Sequence, residues 1–187
     1  NTGVVATDVS GVGTARYECG GCSYGGDKGI FGYGYATTAV TNLVANTGVV
    51  GTDVTGVGTA RHGVAACEYG DDKAIFGYGD TGSKVSMTNL VSNSGVVATD
   101  VTGVGTARKG LGACTYAYDK GIFGYGESGS GSSSLTNLVS NTGVVATDTT
   151  GVGSARQSLT ATQYGGDKGI FGFGYISGAT AVTNLVA

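Results

Sequence analysis

The sixteen residues Asn141–Arg156 (Asn-Thr-Gly-Val-Val-Ala-Thr-Asp-Thr-Thr-Gly-Val-Gly-Ser-Ala-Arg) recur almost letter for letter from Asn1, Asn46 and Asn93. Behind each copy comes a second block, such as Tyr-Gly-Gly-Asp-Lys-Gly-Ile-Phe-Gly-Phe-Gly over 164–174, and then Thr-Asn-Leu-Val. The starts divide a single repeat domain, 1–187, into repeats 1–45, 46–92, 93–140 and 141–187. A period of this size belongs to supersecondary units that stack because none can bury its apolar face alone.

Glycine supplies 38 of the 187 residues and proline none. That composition would suit disorder, but the Val, Ile, Phe and Tyr return in register, which a disordered tract has no reason to maintain. Sixteen of the 23 charged residues are the same four repeat positions, an Asp, an Arg and an adjacent Asp-Lys, whose charges cancel. No basic stripe exists, so nucleic acid is not expected as a partner. There is no 18-residue apolar run and no signal-like segment, so no membrane partner is expected. Asn1 is not a translational start, and the chain is therefore expected to be processed or an excerpt of a longer one.

Within the second repeat, Val49–Asp53 reads as a short β-branched strand after a turn in which Gly48 supplies positive φ. A loop at Gly56-Val57-Gly58 leads to Arg61. Strands over 62–69, 74–79 and 87–91 follow, the first two joined by a tight turn at Gly70–Lys73. Four short strands per repeat define a propeller blade. Alternation along 29–34 puts Phe31 and Tyr33 on one face and Ile30, Gly32 and Gly34 on the other. Large groups on one face and glycine hollows on the other would let each blade stack directionally on the next. The fold class is therefore all-β, a propeller of four blades of about 47 residues each. The chain ends in Thr-Asn-Leu-Val-Ala and begins Asn-Thr-Gly-Val-Val, so the strand at Val4–Asp8 is expected to close the ring against Thr183–Val186. A larger propeller or an open β repeat array are the alternatives.

The order of Arg, small-residue strand, Tyr-Gly-Gly-Asp-Lys, aromatic strand ending in Gly, variable loop and Thr-Asn-Leu-Val resembles a kelch-type β-propeller repeat. Arg16, Arg61, Arg108 and Arg156 and the Ile-Phe-Gly-Tyr/Phe-Gly strands carry that likeness, although the chain has no Trp. The wording Thr-Asn-Leu-Val-Ser-Asn-Thr-Gly-Val-Val-Ala-Thr-Asp (136–148) is also similar to repeats in tail-fibre-like proteins of viruses of marine cyanobacteria. This resemblance implies a structural or adhesive part of a virion appendage or an extracellular surface. The partners it implies are cell-surface glycans or other fibre subunits, within a larger assembly.

The repeats differ in two places, the segment after the Arg and the segment after the aromatic strand, and variable insertions often mark a binding face. The binding candidates there are Tyr17, Tyr35, Asp80, Lys84, Glu127 and Tyr175, suited to a lectin-like carbohydrate-binding module as the alternative function. Asp8, Asp53, Asp100 and Asp148 precede the Gly-Val-Gly turns. One carboxylate per loop is too few for a Ca²⁺ cage, and an Asx-turn is expected instead. The four Arg residues are expected to pair with these Asp residues, and Asp27-Lys28 and its copies to be solvated hairpin tips.

Cys22, Cys67, Cys114 and Thr162 each lie six residues past an Arg. They form an equivalent tier, read as small apolar filling rather than a soft-metal site. Cys19-Gly-Gly-Cys22 is a lone C-x-x-C without a second pair. His62 is the only histidine, so no clustered base supports catalysis and no enzyme, metal or cofactor is expected.

Overall fold

The computed structural model describes residues 3–187. Its elements are β1 (Gly20–Tyr24), β2 (Lys28–Gly32) and β3 (Thr41–Val44) in the first repeat, and β4 (Ala65–Tyr69), β5 (Lys73–Gly77) and β6 (Thr88–Val91) in the second. The third holds β7 (Arg108–Lys109), β8 (Gly112–Tyr116), β9 (Lys120–Gly124), β10 (Glu127–Ser128), β11 (Gly131–Ser132) and β12 (Thr136–Val139). The fourth holds β13 (Thr160–Tyr164), β14 (Lys168–Gly172) and β15 (Thr183–Val186). Each repeat is thus a three-stranded antiparallel meander, and the fold is all-β. In the third repeat, β7, β10 and β11 make a further small sheet.

The Val49–Asp53 run is not a continuous strand. It meets β3 through two isolated bridges, Val44↔Val50 and Thr41↔Val54, and the same pair of bridges recurs on β6 and β12. The Asp-bearing segments of the second, third and fourth repeats therefore complete the sheet of the preceding repeat. The folded unit is out of phase with the sequence repeat: it begins at a Gly-Val-Gly loop and ends with the next copy's Asp. The hairpin tips are also less free than expected. Asn46 Nδ2 donates to Asp27 at 2.8 Å, and Asn93–Asp72 and Asn141–Asp119 repeat the contact.

Successive sheets are joined by backbone hydrogen bonds at equivalent positions. The N–H groups of Gly63, Gly110 and Ser158 each donate at 2.9 Å to the carbonyl of Glu18, Gly63 and Gly110 in the preceding repeat. Between the sheets, the glycine hollows are filled by the next repeat's phenylalanine. A Cβ on Gly32 would lie 2.8 Å from Phe76 Cζ, and one on Gly77 or Gly124 would lie 2.7 Å from Cζ of Phe123 or Phe171. These three rings are fully buried. Each burial is worth about 1.5–3 kcal/mol.

One detail of the aromatic strand departs from simple alternation. Tyr33, Tyr78 and Tyr125 have φ of 61°, 63° and 64°, which ends the strand at the preceding glycine and turns the ring. Tyr33 does not share the face of Phe31. It meets Phe76 of the next repeat edge-on at 5.2 Å, as Tyr78 meets Phe123 and Tyr125 meets Phe171. Over each tyrosine lies the next repeat's arginine, with Arg61 Cζ 4.1 Å from the Tyr33 centroid and Arg156 Cζ 3.9 Å from that of Tyr125.

The expected end-to-end strand closure is not formed. Among the described residues nothing bridges 3–8 to β15, whose only partner is β14. Val5 is 93% exposed, whereas Val97 at the equivalent place is 9% exposed. The repeated junction contacts fix how each sheet follows the last, from the first to the fourth.

Candidate functional site

Two variable places per repeat, remote in sequence, are brought together by the fold. The residue after each Arg pairs with the first residue of the variable loop: Tyr17↔Tyr35, His62↔Asp80, Lys109↔Glu127 and Gln157↔Tyr175. The pairing follows from the sheet, because the conserved-length hairpin between Arg and loop returns the chain to the same end. Four such pairs form one rim of tyrosine and charge.

Contacts along the rim tie neighbouring repeats. Tyr17 and Tyr35 stack at 4.9 Å, and Tyr35 meets His62 edge-on at 5.2 Å. Lys109 Nζ lies 3.0 Å from Asp80, and Lys84 Nζ lies 3.0 Å from Glu127. Burial acts to raise the Asp80 carboxyl, but the Lys109 ammonium and the Gly82 N–H outweigh it and hold the group below the usual range. Lys109 is raised in turn, chiefly by its bond to Asp80. Partial desolvation, with Tyr35 and Glu18 nearby, raises the Tyr17 phenol.

Of the candidates from the sequence, Tyr17 and Tyr35 form one cluster, Asp80, Lys84 and Glu127 a second, and Tyr175 stands apart beside Gln157. The three tyrosines are exposed. Beside the rim is a depression of about 480 Å³ lined by Glu18, Cys19, Val64, Lys109, Glu127 and Ser158, with all four repeats contributing. His62, Lys109 and Glu18 belong to this end and were not among the binding candidates read from the sequence. Their signal was the variability of the position after each Arg, which names a face without naming its members.

The repeat carboxylates act at a distance, not in local Asx-turns. Asp53 accepts from the Thr14 N–H at 3.0 Å and its hydroxyl at 2.7 Å, and from Asn42 Nδ2 at 2.9 Å. Asp100 with Thr59 and Asn89, and Asp148 with Thr106 and Asn137, repeat this arrangement. Asp8 makes no such contact among the described residues. Of the four Arg side chains, two pair with Asp among the described residues, Arg108 with Asp148 at 3.3 Å and Arg61 with Asp100 at 3.9 Å. Their principal side-chain acceptor is nonetheless an asparagine, Asn42 for Arg16, Asn89 for Arg61 and Asn137 for Arg108.

All four cysteines are free. Cys67 and Cys114 are buried, Cys22 is half-buried and Cys19 is exposed. Burial pushes the Cys22 thiol up to about 12 and Cys114 to about 11, and raises Cys67 well above its ordinary value. Cys67 and Cys114 sit where a Cβ on Gly121 or Gly169 of the next repeat would strike their sulfur atoms. That position suits a compact, uncharged filler. Among the described residues no group of three or more His, Cys, Asp or Glu is placed to hold a metal ion.

Compared with protein-family models and with curated proteins, the chain matches none.

Proposed function

We propose that the protein is a non-enzymatic structural and adhesive repeat domain, a stretch of an extracellular or virion appendage in which an open propeller-like array displays a variable rim. The observation that supports this reading is the division of labour in each repeat. Its recurring Arg, Tyr, Phe, Asn and Asp are consumed at the three internal junctions, while the variable residues collect at one end. Symmetry-related carboxylates already saturated by Thr and Asn donors are poor candidates for proton transfer, which needs a group with an open position.

A second reading rests on the exposed rings of Tyr17, Tyr35 and Tyr175. The rim's lysines are matched by carboxylates, so it offers aromatic faces and hydrogen bonds with little uncompensated cationic charge. Such a surface suits a neutral, polyhydroxylated ligand, with the apolar face of a sugar on a ring and its hydroxyls on polar neighbours. A glycan array probed with the wild type and with Tyr17→Ala/Tyr35→Ala tests both readings. Binding lost in the variant supports carbohydrate recognition by the rim. Absence of binding leaves the scaffold role alone, and turnover of any arrayed glycan contradicts the non-enzymatic reading.

A further inference from the structure

The rim carries more carboxylate than ammonium where the first three repeats meet. Lys84 pairs with Glu127 and Lys109 with Asp80, each at 3.0 Å, so both ammonium groups have a carboxylate of their own. Glu18 has no ammonium among the described residues. Its carboxylate is half-exposed, and its ion partner is His62 Nε2, at 3.8 Å. The Nδ1 of that imidazole is buried with no hydrogen-bond partner. A second proton on the ring would bury an unpaired donor, so His62 is a poor counter-ion for Glu18. Lys109 is raised chiefly by its bond to Asp80, with Glu127 and Glu18 adding to the effect, which leaves one ammonium facing three carboxylates. Each of these groups lies at a junction between two described repeats.

The surroundings of Glu18 are aromatic and apolar. Desolvation first, then Tyr35 and Glu18, raises the Tyr17 phenol, which puts the carboxylate beside that ring. Tyr17 stacks on Tyr35 at 4.9 Å, Tyr35 meets His62 edge-on at 5.2 Å, and both tyrosines stay exposed. Glu18 also lines the depression of about 480 Å³, whose walls include Cys19, Val64 and Leu159. That volume falls in the range of small-molecule sites.

Such a surface selects among cations. A metal ion needs several converging oxygens, and among the described residues no group of three His, Cys, Asp or Glu is placed to hold one. A primary ammonium brings three N–H donors, each needing an acceptor. An alkylated ammonium has no N–H to satisfy, and its charge is attracted by a carboxylate and by the faces of aromatic rings alike. We infer that the Glu18 end of the depression, flanked by Tyr17 and Tyr35, binds a quaternary ammonium group of the choline type. This goes beyond the scaffold and sugar-binding readings above and holds whether or not the rim binds a glycan. A group of this kind reaches a surface protein either as a lipid headgroup or as a soluble or polymer-borne choline ester, and the test separates the two.

The probes are choline and dimethylbutanol, the neutral analogue in which a tert-butyl group replaces the trimethylammonium, titrated into the 187-residue chain and followed by amide NMR. Gly63 and Gly110 line the depression and their N–H groups join successive repeats, so their resonances report on it. Choline is expected to shift both saturably and to bind at least about tenfold more tightly than dimethylbutanol. Glu18→Gln should weaken choline about tenfold and leave dimethylbutanol unchanged. Asp71→Asn, which removes the same charge at a hairpin tip, should do neither. Tyr35→Leu should weaken choline about threefold through the lost ring. Unchanged melting of the variants separates a lost site from lost folding. Phosphorylcholine is titrated in the same way, and the chain is spun with phosphatidylcholine vesicles. Pelleting with the vesicles supports a lipid headgroup, whereas shifts with phosphorylcholine and no pelleting support a soluble or polymer-borne source. No saturable shift with choline overturns the inference. So does equal binding of choline and dimethylbutanol, or an equal loss in Glu18→Gln and Asp71→Asn, which would make the effect one of net charge alone.

Discussion

The second and fourth repeats carry nearly the same junction residues in different company. Arg61 donates to the Tyr78 carbonyl at 2.7 Å and to Asn89 Oδ1 at 2.7 Å, with Asp100 nearby. Arg156 keeps the equivalent bond to the Phe173 carbonyl at 2.9 Å, but its Nη2 has no partner. Tyr78 is wholly buried under Arg108 and against Phe123, whereas Phe173 is 58% exposed. Burial here is not a property of the repeat's own residues. It is conferred by the neighbour that supplies the other half of each contact, as expected where stability is a sum of unit and nearest-neighbour interface contributions.

The comparison is broken most directly at the arginines. Arg61→Ala strips a buried network of its donor and leaves Asn89 and the Tyr78 carbonyl unpaired, at a cost of about 3 kcal/mol or more. For a chain of this size that corresponds to a fall in Tm of roughly 6–12 °C. Arg156→Ala, with fewer partners to orphan, should cost about half as much. Thermal unfolding of the two variants side by side checks the ordering, and equal shifts would show that Asn89 and Asp100 add nothing to Arg61.

Glycine hollows give the next largest contrast. Valine at Gly77 collides with Phe123 and should cost about 1–3 kcal/mol through overpacking. At Gly172, where the added Cβ meets only Thr183, and at Gly129, where it meets nothing within 4 Å, the same substitution should change Tm little. A large loss at Gly172 in dilute protein would mean that the hollow is filled in the single chain after all.

How far these contrasts could be read beforehand depended on the kind of information involved. The period, the strands around Phe76 and the hollow at Gly77 follow from alternation and composition, which are local. The turn of Tyr78 to the opposite face does not, because a tyrosine at positive φ is disfavoured locally and is held there by Phe123 and Arg108 from the next repeat. The role of Asp53 was hidden for a similar reason. Its carboxylate serves Thr14, 39 residues away, where a sequence pattern suggests a turn beside it. The rim was legible as a variable face, but the pairing that places Lys109 beside Asp80 comes only from sheet register.

Acid should separate the first three units from the fourth. Hydrogen bonds from the Thr14 hydroxyl and Asn42 lower the Asp53 carboxyl. At Asp100 and Asp148 partial burial opposes the shift, but the Thr and Asn donors prevail and these groups also lie below the usual range. A depressed folded-state pKa means that the stabilisation is complete above about pH 4 and is lost as pH falls through the lower folded values. Amide exchange below pH 4, corrected for intrinsic rates, should therefore show Thr14, Thr59 and Thr106 losing protection. Ser154, which has no such carboxylate among the described residues, should show no corresponding step. A step at Ser154 of the same size would place the acid sensitivity elsewhere.

The smallest effect is expected at the cysteine tier, where the contrast between repeats is one of access. Cys67 and Cys114 lie beneath Gly121 and Gly169 of the following repeats, while the fourth repeat carries Thr162, exposed, at the same place. Reaction with a thiol reagent requires thiolate and access together. Burial withholds both from Cys67, and a thiol raised to about 12 withholds thiolate from Cys22. In native buffer Cys19 should thus be labelled first and Cys67 last, with all four reacting quickly after denaturation. Cys67→Ala removes one small buried group from a site that glycine already crowds, so its cost should be about 1 kcal/mol. Thr162→Ala, with no repeat packed over it, should cost less still. A Cys67 that labels as fast as Cys19 would mean that the second and third sheets separate readily, and the distinction between interior and end repeats would then be one of degree.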